Sequence, residues 1–339
     1  MRTKKNQSYF SLVAFTFGFL AFLPAPADAA SCMTQSQMTA QQRDNLANQA
    51  RAMIATVQSG DVAGLRAKTL PAIASDFDGI AASVTSLKPM VQNATITVSN
   101  VYSLDASQDP AGAERTQFFC GSPIVVLTFN GIPPGKYALA ILHATGVPKP
   151  QQISIILANA GGDQWQLAGF YAKPMVEVDH DGLWYWTSAR KYAQTKANWA
   201  AWIYYRVAED LLSPVDFLSS PNLQKLQLEA DQSRPGDFPG KTPMTLNVQG
   251  SSFDITAIDT TTEFGGLDLD LHYTPNPTEA AQLQTPSLAR AQVSSIMAAL
   301  VQQHPELKQA FHGIWAHADQ GNTSLFALEL PMDQISPRP

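Results

Sequence analysis

The sequence predicts an α+β protein: N-terminal helices packed on a curved antiparallel sheet, then a helical hairpin, then a second α+β domain. Three observations predict it. Apolar residues recur at helical spacing from Leu46 to Val57 and again from Phe77 to Leu87. From Ala94 to Tyr171 the period drops to two, and turn residues separate short strand-like runs. A tryptophan-dense helical stretch then precedes another set of strands with one long helix. Hydrophobic residues make up 45% of the 339, so there is ample material for such cores and the chain is not a charge-driven disordered polymer. The formal charge of −6 leaves no basic footprint for phosphates, which excludes nucleic acid as the expected partner.

The first thirty residues read as a secretory signal peptide. Arg2, Lys4 and Lys5 precede an apolar stretch from Phe10 to Leu23, and Ala27, Ala29 and Ala30 supply a small-residue cleavage site. That stretch is shorter than the roughly 20 residues of a spanning helix, so no transmembrane segment is expected in the mature chain. The leader carries three cations and one carboxylate, and its removal takes the formal charge from −6 to −8. The expected location is periplasmic or extracellular. Cys32 and Cys120 are the two cysteines, and an oxidising compartment favours a bridge between them. Two other fates stay open: acylation of Cys32, although the usual leucine is missing, and burial of Cys120 as a small free hydrophobe.

In chain order, Leu46, Ala50, Met53, Ile54 and Val57 draw one helical stripe, with Thr39 to cap it and Gly60 to end it. Asp61 caps a short helix with Val62 and Leu65, and a third helix from Phe77 is expected to stop at Lys88-Pro89. Ile96 and Val98 alternate with Thr95, Thr97 and Ser99 in a strand. Further strands are expected at Thr116–Cys120, Ile124–Phe129, Tyr137–Ala144, Ile153–Asn159 and Gln164–Tyr171, forming a continuous antiparallel meander under the helices. The run Ser59-Gly60-Asp61-Val62-Ala63-Gly64-Leu65 and the closing strand Gly162-Asp163-Gln164-Trp165-Gln166-Leu167-Ala168-Gly169-Phe170 make residues 40–172 resemble an NTF2-like (cystatin-like) cone domain. The resemblance covers about two fifths of the chain. It implies a pocket between sheet and helices, and it does not choose among the enzymes, binding modules and assembly parts built on that fold.

The domain limits read as 36–175 for this unit, 180–230 for the helical hairpin, 231–243 for a proline-punctuated linker or ordered loop, and 244–333 for the second α+β domain. The hairpin holds Trp184, Trp186, Trp199 and Trp202, and its small/aromatic pattern at 182–214 resembles a single tetratricopeptide helix pair. These tryptophans are either core between domains or, with Tyr171, an aromatic binding groove. In the last domain, strands are expected at Met244–Val248, Phe253–Asp259 and Leu267–Tyr273. A helix should follow from Thr285-Pro286 to Gln303, and then a hairpin of Phe311–Ala318 with Ser324–Leu330.

Candidate chemistry is sparse. Asp179-His180-Asp181 sets carboxylates beside an imidazole, but Asp181-Gly182 also suits a helix N-cap. His143 is the one histidine inside the expected cone. Asp268, Asp270 and His272 share one strand face, with Leu267, Leu269 and Leu271 on the other. Such a set offers hard-to-borderline metal ligands, yet steps of about 6.8 Å along a strand need partners from elsewhere. A solvated face of an antiparallel sheet explains the same pattern. His312 and His317, five apart on one expected strand, would face opposite ways. No P-loop, G-x-G-x-x-G, G-x-S-x-G, H-E-x-x-H or C-x-x-C run occurs, so no cofactor is expected. The reading is an exported, non-catalytic binding protein whose cone takes a small apolar or peptide-like ligand. The alternatives are a secreted hydrolase or isomerase using a histidine in or beside the cone, and a structural or oligomeric envelope component.

Overall fold

The computed structural model describes residues 30–335, and the expected leader lies outside the described residues. These residues form a mixed α+β architecture of ten helices and largely antiparallel sheets. Among them no helix is long and apolar enough to cross a membrane.

The first unit comprises β1 (Ser31–Thr34), α1 (Ala40–Ser59), α2 (Val62–Ala67), α3 (Pro71–Ala74), α4 (Asp78–Val91), β2 (Thr95–Asp105), β3 (Arg115–Cys120), β4 (Val125–Asn130), β5 (Lys136–Thr145), β6 (Gln151–Gly161) and β7 (Gln164–Pro174). Thr39 caps α1 with a reciprocal capping box through Gln42, and Gly60 closes it at φ 73°. The third expected helix runs past Pro89 to Val91. Val91 is fully buried, and Gln58 Nε2 donates to the carbonyls of Val91 and Ala94, so packing and a side-chain donor support the last turn that the proline weakens.

The meander is not continuous. The main sheet has the order β1-β2-β5-β6-β7, while β3 and β4 leave it to form a second sheet with β10 (Leu218–Ser219). The reason lies in β5, where Ala138 to Leu142 are buried on both faces. Ala138, Ala140 and Leu142 pack under α1 and α4, whereas Leu139 and Ile141 need a second cover, which the β3–β4 hairpin provides through Phe118, Leu127 and Phe129. Cys32 and Cys120 are joined, so a disulfide fastens β1 of the main sheet to β3 of the cover.

The remainder comprises β8 (Val176–Glu177), β9 (His180–Asp181), α5 (Gly182–Gln194), α6 (Asn198–Leu212), α7 (Pro221–Ser233), β11 (Met244–Val248), β12 (Ser251–Thr261), β13 (Asp268–Thr274), α8 (Pro277–Gln282), α9 (Pro286–Gln303), α10 (Leu307–Ala310), β14 (Gly313–Gln320) and β15 (Thr323–Pro331). The helical hairpin and the C-terminal sheet share one core, in which Trp199, Tyr204 and Leu211 join Leu269, Ile296 and Ile314. The proline-punctuated stretch is an ordered loop whose Phe238 is buried in that core. Strand order is β11-β12-β13-β14-β15, and β13 and β14 run parallel because α9 carries the chain back across the sheet between them. Leu269, Leu271, Tyr273, Ile314, Ala316 and Ala318 turn to the core, which leaves the opposite face of these two strands open.

Replacing both cysteines by alanine should lower unfolding free energy by about 4–5 kcal/mol, the chain-entropy value for so long a loop. Chemical denaturation checks this, and an unchanged midpoint would show that the bridge carries no stability.

Candidate metal centre

The open face of the C-terminal sheet gathers imidazoles and carboxylates. Alternation on β13 puts Asp268, Asp270 and His272 there, and alternation on β14 puts Trp315, His317 and Asp319 there. The parallel register sets Asp270 against Trp315 and His272 against His317. On the far side of β14, Glu329 of β15 stands opposite Trp315. The surface is therefore not the face of a purely antiparallel sheet, nor evenly solvated: Asp268 is fully buried and His317 is only 12% exposed.

At its centre, Asp270 Oδ1 lies 3.3 Å from His272 Nε2 and 3.2 Å from His317 Nε2. The ligand atoms of this trio all fall within 4.8 Å of one another. Neither contact has the alignment of a hydrogen bond, and both Asp270 Oδ1 and His317 Nε2 are buried without a hydrogen-bond partner. Zinc–ligand arms of about 2.0–2.1 Å in a tetrahedron give an edge of about 3.4 Å, close to both separations. The two imidazoles stack with centroids 4.7 Å apart and planes 11° from parallel, so their lone pairs run side by side and holding one ion between them requires one ring to turn toward the other. His272 Nδ1–H donates to Asp319 Oδ2 at 2.6 Å. That bond fixes the ring and leaves Nε2 as the lone-pair nitrogen, the outer carboxylate–histidine arrangement of metal sites. Trp315 packs edge-on against His317, and Phe264 from the β12–β13 loop packs against Trp315, which shields one side of the trio.

The electrostatics follow from these neighbours. Burial pulls His272 down, but the Asp319 hydrogen bond and the charge of Asp270 outweigh it, so its pKa lies above the ordinary histidine value. His317 goes the other way: burial dominates, the attraction of Asp270 only partly offsets it, and the ring stays neutral more readily than a free histidine.

The other residues singled out in the sequence are dispersed. His143 lies on the β5 face turned away from the helices, beyond the Leu139–Ile141 side. Asp179 sits in a tight turn at φ 61°, His180 stacks on Trp184 with centroids 3.6 Å apart, and the Asp181 carboxylate accepts the Trp184 N–H as the α5 N-cap. These three do not converge. Trp186 is buried and donates to Glu229, Trp199 is buried and donates to Asp237, and Trp202 lies under the Arg234 guanidinium. Trp184 and Tyr171 are exposed, Tyr171 against Phe217. The space between main sheet and helices is filled by side chains such as Met53, Ile54, Val84 and Leu142, while a cavity of about 830 Å³ opens beside the start of α1, lined by Met33, Met38 and Trp165 among others.

No family model matches the chain, and no curated protein or solved structure matches it. The site therefore rests on its own geometry. His317, Asp319 and Glu329 join it through strand pairing, and their signal in the sequence is Trp315-x-His317-x-Asp319, the same alternation as Asp268-x-Asp270-x-His272.

Substituting Asp319→Asn should lower the pKa of His272, read from imidazole resonances in a pH titration of the metal-free protein. With its pKa raised in the folded state, His272 adds stability below the ordinary value of about 6.5, and this is lost as pH rises through the raised value. The variant should lose that dependence. An unmoved titration would remove Asp319 as the partner that holds the ring.

Proposed function

We propose that this is an exported metal-binding protein that holds one zinc-class divalent ion on the open face of its C-terminal sheet, through Asp270, His272 and His317. One observation carries the reading: three buried or half-buried ligand atoms gather within 4.8 Å, with Asp270 Oδ1 at 3.3 Å and 3.2 Å from two imidazole nitrogens that it does not hydrogen-bond. Two imidazoles and a carboxylate suit zinc and its neighbours better than magnesium or calcium. Export is supported by the basic, apolar and small-residue leader in the sequence and by the joined cysteines. The NTF2-like assignment of residues 40–172 is supported by α1 and α4 lying on one face of a five-stranded antiparallel sheet. In this proposal that unit is the scaffold, and the mouth lined by Asn45, Asp105, Lys136 and Asp163 as well as by Met38 and Trp165 is the place for a small ligand of mixed polarity.

Zinc titrated by calorimetry into the full mature protein should bind at Asp270, His272 and His317. His317→Ala should weaken binding at that site by at least about tenfold, since even outer-shell partners are worth that much. Folded protein that takes up no zinc, or a His317→Ala variant that binds as the parent does, would overturn the reading. Three protein ligands leave a fourth position toward solvent, as catalytic zinc sites do, and this favours a hydrolytic second reading. It requires zinc-dependent ester cleavage that His317→Ala abolishes.

A further inference from the structure

The same face carries a second convergence of ligands about 6.8 Å further along β13, two residues from Asp270. Asp268 has no exposed surface. Its Oδ1 accepts from His312 Nδ1 at 2.8 Å, and its Oδ2 is buried with no hydrogen-bond partner. Glu329 Oε1, reaching across from β15, is likewise buried and unpartnered. The ligand atoms of Asp268, His312 and Glu329 lie within 4.8 Å of one another. Among the described residues no lysine or arginine pairs with either carboxylate, and His312 is the one ion-pair partner of Asp268.

The backbone is built around this meeting. The first residue of β14 is Gly313, and a Cβ there would stand 2.6 Å from Asp268 Oδ1 and 3.0 Å from Glu329 Oε1. Any side chain at 313 would fill the space in which the two carboxylates converge. His312 is held by main-chain bonds at both sides: its N–H donates to Leu267 and its carbonyl accepts from Met332. Gly266 is packed against the His312 side chain, where a Cβ would fall 2.3 Å from the His312 Cβ. The imidazole is therefore placed over Asp268 by three separate segments of chain.

A fully buried carboxylate beside a half-buried one is costly to keep ionised without a counter-charge. A single imidazole, 46% exposed, answers only one of them.

We propose that Asp268, Glu329 and His312 form a second cation site, for a harder divalent ion of the manganese class. Two oxygens and one nitrogen are a harder donor set than the two nitrogens and one oxygen of the first site. Binding displaces the His312–Asp268 hydrogen bond: Nδ1 gives up its proton to bind the cation, and the ring stays neutral with its one N–H on Nε2. The two sites share a strand but no ligand, so this inference does not depend on the zinc reading.

The test uses the full mature protein with its disulfide intact, stripped of metal, and follows the signal of free Mn2+ by electron paramagnetic resonance. The His317→Ala protein, lacking the first site, should still remove one Mn2+ per chain from solution. Adding Glu329→Gln or Gly313→Ala should weaken that binding by at least about tenfold. Glu329→Gln serves where Gly313→Ala does not fold, with circular dichroism as the check. A folded His317→Ala protein that leaves Mn2+ free, or binding that Glu329→Gln leaves unchanged, would overturn the proposal.

Discussion

The parallel pairing of β13 with β14 is the constraint on which the candidate centre depends. It brings His272 beside His317 and Asp270 beside Trp315, across a strand spacing of about 4.8 Å. A slip of one residue would turn every side chain of β14 over, and with them His317 and Asp319 would enter the core. What prevents the slip is on the other face. Leu269, Leu271 and Tyr273 interlock with Ile314, Ala316 and Ala318 under Val293, Ile296 and Met297 of α9, all buried. The polar geometry is thus positioned by apolar packing a few ångströms beneath it, and the helix that supplies the packing also imposes the parallel direction.

Much of this was legible in the sequence, and the missing part has a physical cause. Alternation alone put Asp268, Asp270 and His272 on one face with the leucines on the other. Alternation does not say which strand lies alongside, so His317, Asp319 and Glu329 were out of reach by that route. The order strand, long helix, strand carried the missing information, because such a crossover makes neighbours run parallel. Reading β14 from Phe311 also set His312 and His317 on opposite faces, whereas the strand begins at Gly313 and His312 is outside its alternation. The first unit shows the same limit. Caps at Thr39, Gly60 and Asp61 and the strand positions were readable, but the departure of β3 and β4 from the main sheet was not. Its trace was the unbroken apolar run of β5, which needs cover on both faces.

The centre is also costly to build. Carboxylates and imidazoles are withdrawn from water with few cations to answer them, and unpaired buried polar atoms weaken a fold. Here four such atoms, on Asp268, Asp270, His317 and Glu329, lie on one patch of three adjacent strands. Elsewhere in that core, among the described residues, Trp202 Nε1, Gln292 Oε1 and His304 Nε2 are also buried without a partner, while Tyr204 donates to the Ala310 carbonyl. Concentration of the unsatisfied groups on one face, around outward-turned ligand atoms, is what a metal site requires of an apo fold.

The most direct measurement is a crystal structure of the zinc-loaded mature protein with anomalous differences collected at the zinc edge. The account predicts a peak bonded to Asp270 Oδ1, His272 Nε2 and His317 Nε2, with Asp319 still hydrogen-bonded to His272 Nδ1. A map with no peak between those three atoms, in a crystal that holds zinc elsewhere on the chain, would contradict it.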